Sequence, residues 1–241
     1  MQYHLDTIPV WEVMETKSAC PLCALLQKTE QAEVERSLGG SVMEPDVRIR
    51  VNERGICHAH HQQLWMQKNR LGHALLTDSH TKELLKKLDA LPAVSAAPRS
   101  FFGNSAEPAT EKLARELEKL ADSCIICESV QTHMNRYLYT FLHLWKREPK
   151  FKTVWENSQG VCIPHAAEIL HHASKHLSAA QQKEFSASLL ALLKASLAQD
   201  EKDLEWFTLK FDYRNQDKPW GNSKNALERT ISKLRSQFSG E

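Results

Sequence analysis

The sequence predicts an all-α protein built from two related helical modules. Two observations carry this reading. Apolar residues recur at helical spacing along most of the chain, and one cysteine–histidine pattern occurs twice at matched spacing. No alternating strand of useful length competes; Val47 to Val51 alternates but is short.

The elements follow in order. Cys23 to Leu38 carries a helical stripe and stops at Gly39-Gly40, a natural terminus. Cys57 to about Arg70 reads as a helix, and so does Leu71 to Leu91, with Leu75, Leu76, Leu84, Leu85 and Leu88. Pro92 to Pro108 holds three prolines and many Ala and Ser, so it reads as a linker on which Phe101-Phe102 could dock. Thr110 to Leu120 is charged and amphipathic, with Thr110 as its cap. Cys127 to Lys146 is long and turns Val130, Met134, Tyr137, Leu138, Phe141, Leu142 and Trp145 toward a core. Pro164 to His176 and Ser178 to about Lys210 are helical. Asp212 to Gly221 is irregular, an ordered turn around Trp220. Asn222 to Phe238 closes the chain, with Ala226, Leu227, Thr230, Ile231 and Leu234 inward and Lys224, Arg229, Lys233 and Arg235 on a solvated face. The expected domains are a first module over 1–91, a linker over 92–109, and a second module over 110–241.

All six cysteines fall inside the repeated pattern. The first copy is Cys20-x2-Cys23, then Gly55-x-Cys57-x2-His60; the second is Cys124-x2-Cys127, then Gly160-x-Cys162-x2-His165. The repeat extends further: Glu44-Pro45 and Glu148-Pro149 each follow the second cysteine of their copy at the same distance. Two residues between ligands let one turn of backbone aim both side chains at one ion, and three thiolates with one imidazole make a closed tetrahedral zinc site. His58 and His61 also follow Cys57, but the second copy has Ile163 and Ala166 there, which selects His60 and His165. The expectation is one zinc per module, held by Cys20, Cys23, Cys57 and His60 in the first and by Cys124, Cys127, Cys162 and His165 in the second. Each knuckle should open a helix, whose N-terminal N–H groups favour thiolate over thiol. An iron–sulfur cluster on the same residues is the alternative cofactor. Thiol–disulfide chemistry would leave the repeated Gly-x-Cys-x2-His element unexplained. Covalent haem is excluded, because Ala24 and Glu128 stand where a histidine would follow each CxxC.

Other candidates are weaker. Glu168-x2-His171 matches half of a di-iron motif whose second half is missing. His165, His172 and His176 share a helical face. No Gly-rich phosphate loop, GxSxG elbow or HExxH is present, and no catalytic residue can be named. Lys and Arg outnumber Asp and Glu by 31 to 30, so no basic excess favours nucleic acid. Neither a signal peptide nor a membrane span is expected, which points to a cytoplasmic, thiol-reducing setting where paired cysteines serve metals.

The twin CxxC…GxCxxH elements, with Lys210-Phe211-Asp212-Tyr213-Arg214…Pro219-Trp220-Gly221…Lys224, resemble an uncharacterised prokaryotic family, a domain of unknown function. The resemblance spans roughly Cys20 to Leu234 and supports the fold and the eight ligands; it implies no activity. The expected function is a zinc-stabilised scaffold or protein-interaction protein, with an iron–sulfur or thiol redox protein next and an enzyme with an unidentified cleft third.

Overall fold

The computed structural model describes residues 6–16, 18–91 and 108–236. Among them are eleven α-helices, three short 3-10 turns and no strand, so the all-α class holds. All but Pro108 of the Pro/Ala-rich linker, the Phe101-Phe102 pair within it, and Phe238 lie outside the described residues.

The helices are α1 (Thr7–Glu15), α2 (Pro21–Leu38), α3 (Pro45–Arg54), α4 (His58–Met66), α5 (Arg70–Asp89), α6 (Ala109–Ala121), α7 (Ile125–Arg147), α8 (Pro149–Glu156), α9 (Ile163–His176), α10 (Ala179–Leu209) and α11 (Ala226–Arg235). Three were not expected from the sequence: α1, α3 and α8. The alternating stretch Val47 to Val51 lies inside α3. Pro45 and Pro149 open α3 and α8 at first-turn positions, where a missing N–H costs nothing. The repeated Glu-Pro pair therefore marks a helix start. Thr110 sits inside α6, whose cap position is Pro108.

The compact units are not the contiguous halves expected. One unit is Met1–Lys28 with His133–Glu241; the other is Thr29–Thr132. The boundaries fall within α2 and α7 rather than at the linker. Each unit thus takes its chain from both copies of the repeated pattern.

The discontinuous unit has an aromatic core. Phe141 meets Phe151 and Trp155 edge-on at 5.0 and 5.3 Å, and Trp145 meets Phe185 at 5.0 Å. Such pairs add roughly 0.5–1.5 kcal/mol each beyond burial. Trp145, as its helical spacing predicts, and Trp155 are core, and the Trp155 indole N–H donates to Ser188 Oγ at 3.0 Å. The segment after α10 is the ordered turn expected: the buried Lys210 ammonium donates to the carbonyls of Asn215, Gln216 and Lys218, each at 2.7 Å, beneath the Trp220 ring. The Thr29–Thr132 unit is lined instead by aliphatic side chains, among them Val34, Leu38, Val51, Leu64 and Leu76.

Candidate metal centre

Four helices open with a ligand pair. Cys57 and Cys162 occupy the cap positions of α4 and α9 with nearly the same backbone, φ −74°, ψ 165° and φ −70°, ψ 162°. His60 and His165 follow three residues on, the spacing of a capping box. In both pairs the cysteine sulfur meets the histidine Nδ1 at 3.1 Å. Cys20 and Cys124 immediately precede α2 and α7, and their carbonyls accept from Ala24 and Glu128 N–H as a capping residue's does. Cys23 and Cys127 complete those first turns. The Cys23 N–H points at Cys20 Sγ, 3.4 Å away.

The pairs combine differently from the expectation. Cys20 and Cys23 join Cys162 and His165; Cys57 and His60 join Cys124 and Cys127. All eight expected residues are used, but each group takes its CxxC from one copy and its CxxH from the other. Helix lengths give the reason. At about 1.5 Å per residue, 18-residue α2 carries the chain about 27 Å from its opening knuckle, and 10-residue α3 is long enough to return at most about 15 Å of it. The mismatch is larger in the second copy, about 35 Å for 23-residue α7 against about 12 Å for 8-residue α8. Neither CxxH is carried back to its own CxxC.

The donor geometry suits one ion per group. Within each group all ligand atoms lie within 4.8 Å of one another. Cys23 and Cys162 sulfurs are 3.7 Å apart, and Cys57 and Cys127 sulfurs 3.8 Å. Zinc–sulfur bonds of about 2.3 Å at tetrahedral angles place sulfurs about 3.8 Å apart. Each group also receives two helix N-termini, α2 and α9 in the first and α4 and α7 in the second, whose partial positive charge favours thiolate.

Each histidine turns Nδ1 to the cysteines and Nε2 outward. Glu30 Oε1 lies 3.1 Å from His60 Nε2, though not aligned as a hydrogen bond. Glu168 Oε2 lies 3.9 Å from His165 Nε2. A carboxylate behind a ligating imidazole orients the ring and raises its basicity. Glu168, whose match to half of a di-iron motif lacked a partner, lies here instead. His58 is exposed, and His61 pairs with His73, Nδ1 to Nε2 at 2.8 Å, so neither joins the site.

The two groups are braced by different chemistry. In the Thr29–Thr132 unit the Ile125 N–H donates to Gly55 O at 3.1 Å, and Ser123 Oγ to Arg54 O at 2.6 Å. The corresponding positions in the other unit are Pro21 and Ala19, which offer neither N–H nor hydroxyl. There the ammonium of Lys233 takes over, donating to Ala19 O at 2.6 Å and Gln159 O at 2.8 Å. It is 0% exposed, and burial lowers its pKa. Lys233 was expected on a solvated face. Instead Lys233 faces inward beside Ala226, and Leu227 and Leu234 are 45% and 42% exposed. Arg229, from the same expected face, is held by Asp200 and Asp203, each at 2.6 Å, which fixes α11 on α10. The signal for Lys233 was the missing donor at Ala19 and Pro21, legible only once the pairing is known. Lys233→Met will leave two carbonyls without a donor. It should destabilise this unit by about 3 kcal/mol in urea unfolding while the other unit's transition stays put.

Gly55 and Gly160 precede the CxxH pairs with φ of 71° and 68°. Gly55 has ψ −166°, a region open almost only to glycine. A Cβ there would also stand 2.7 Å from the His80 ring. Gly55→Ala is expected to cost about 1–3 kcal/mol in backbone strain alone, read as a lower denaturation midpoint.

Without a divalent ion the four groups compete for protons. Burial works against a charged His60, but contact with the Cys124 sulfur and Glu30 wins and pushes its pKa up to about 10. Burial would raise Cys124, yet His60 draws it down to about 6. Burial and the neighbouring Cys124 charge push Cys127 up to about 12. In the other group burial raises Cys20, and contact with the Cys20 and Cys23 sulfurs lowers Cys162. At neutral pH His60 and Cys127 therefore hold protons that an ion must displace. Affinity for the ion rises with pH and falls on acidification. Zinc binding at this group will release at least two protons, measurable by titration calorimetry in buffers of different ionisation enthalpy; no net release contradicts the assignment.

Two Cys3His groups on one helical chain accord with the expected resemblance, and the family match covers residues 1–241. The chain belongs to a family of unknown function, DUF6062. No curated protein and no solved structure matches it. Membership in DUF6062 supports the fold and names no activity. No helix among the described residues is long and apolar enough to cross a membrane.

Proposed function

We propose that the protein is a cytoplasmic, zinc-stabilised helical scaffold that binds a protein partner. The observation that carries this is that each of the two groups offers four protein donors within 4.8 Å of one another, with sulfurs 3.7 and 3.8 Å apart. Catalytic zinc keeps a position for water, and a full donor set leaves none. Each ion would tie a knuckle of one sequence copy to a CxxH of the other, a long-range clip suited to structure. The repeat reads as a duplication, since corresponding positions carry corresponding helices, capping cysteines and positive-φ glycines.

Sulfur spacing favours one ion over a cluster. In an iron–sulfur cluster the four protein ligands are shared among two or more irons, with sulfide between them, so some of them stand further apart than the 4.8 Å within which all four donors of each group lie. A protein partner fits the near-neutral charge and the exposed Trp65, Met66 and Leu71 around the start of α5. Elemental analysis of anaerobically purified protein with its visible spectrum tests the metal. Two zinc ions per chain and no colour are expected. Brown protein carrying iron and acid-labile sulfide would overturn the reading.

A further inference from the structure

The two groups differ in exposure and in bracing, and the difference has a chemical outcome. In the group of Cys20, Cys23, Cys162 and His165, three donors are buried and Cys23 is half-buried. A buried ammonium, Lys233, sits behind it and offsets the excess negative charge that three thiolates leave on a divalent ion. In the group of Cys57, His60, Cys124 and Cys127, Cys127 is exposed and Cys57 half-buried. Their sulfurs are 3.8 Å apart. Each group has one carboxylate near its histidine, so the buried ammonium is the charge difference between them. Oxidation of cysteine follows thiolate character and access.

We infer that Cys127 is an oxidation site for hydrogen peroxide, and that its reaction with Cys57 ejects the ion from this group alone. This rests on the zinc reading above. Cys127, which a bound zinc would hold as a thiolate, attacks one oxygen of hydrogen peroxide. The O–O bond breaks, hydroxide leaves and is protonated to water, and Cys127 becomes a sulfenic acid. The Cys57 thiolate then attacks the Cys127 sulfur, forming the S–S bond and expelling the second oxygen, which takes up a proton as water. Two thiolates give two electrons, one peroxide is reduced to two waters, and zinc leaves with two of its four donors gone. The other group offers no exposed thiolate to begin the sequence. The role is a redox switch confined to one of two related ions.

The test uses the full chain carrying two zinc ions, with metal content measured first. Hydrogen peroxide is added anaerobically, zinc release is followed with a chromophoric chelator, and disulfides are mapped by mass spectrometry. One zinc is expected to leave at least about tenfold faster than the second, in step with a Cys57–Cys127 disulfide. In Lys233→Met the slow zinc should leave about 10-fold or more faster while the fast one is unchanged. Equal release of both ions, a first disulfide among Cys20, Cys23 and Cys162, or a Cys124–Cys127 disulfide would overturn the inference. Absence of zinc at the outset would instead overturn the metal reading on which it rests.

Discussion

Cys162→Ser will cost the protein one of its two ions and most of the stability of the unit that holds it. Cys162 is fully buried, its sulfur 3.1 Å from His165 Nδ1 and 3.7 Å from Cys23 Sγ. A serine hydroxyl in that place is a poor zinc donor, and the remaining donors cannot close a tetrahedron. Structural zinc contributes about 10–16 kcal/mol in small finger peptides, as much as the whole stability of a typical domain at about 5–15 kcal/mol. This unit also has the aromatic core of Phe141, Phe151, Trp155 and Phe185, so collapse without fixed packing is the expected residue. Thermal melting should lose its main transition, near-ultraviolet circular dichroism should fade, and metal analysis should give one zinc per chain. Unchanged melting with two ions retained would contradict the role of Cys162.

The helices and the ligands were legible because both are local. Helix α7 announces itself through its stripe from Val130 to Trp145, and the eight donors through two-residue spacings within single turns. His60 could be chosen over His58 and His61 because the second copy has histidine only at His165. Helices α3 and α8 were missed because Val47 to Val51 alternates over too few residues to reveal its period, and because Glu44-Pro45 looks alike whether it turns the chain or starts a helix.

The pairing was illegible for a different reason. Spacing tells which residues share a turn, and each CxxC then needs a CxxH. Two arrangements satisfy that need with the same eight residues. Choosing between them takes the lengths of α2 against α3 and of α7 against α8, and two of those four helices had not been seen. Lys233 was hidden by the same error. On a modular pairing nothing asks for a donor between Ala19 and Gln159, so a lysine on a basic helix looks like surface.

The exchange of partners between copies is the central claim, and Cys57→Ser tests it most directly. Cys57 shares its own sequence copy with Cys20 and Cys23, but its sulfur lies 3.8 Å from Cys127. The variant should keep one zinc per chain. A short alkylation pulse on the folded variant, read by peptide mass spectrometry, reports which thiols have lost their ion. Labelling of Cys124 and Cys127, with Cys20, Cys23 and Cys162 protected, is the predicted result. Labelling of Cys20 and Cys23, with Cys124 and Cys127 protected, would show that each copy binds its own ion and would contradict the account.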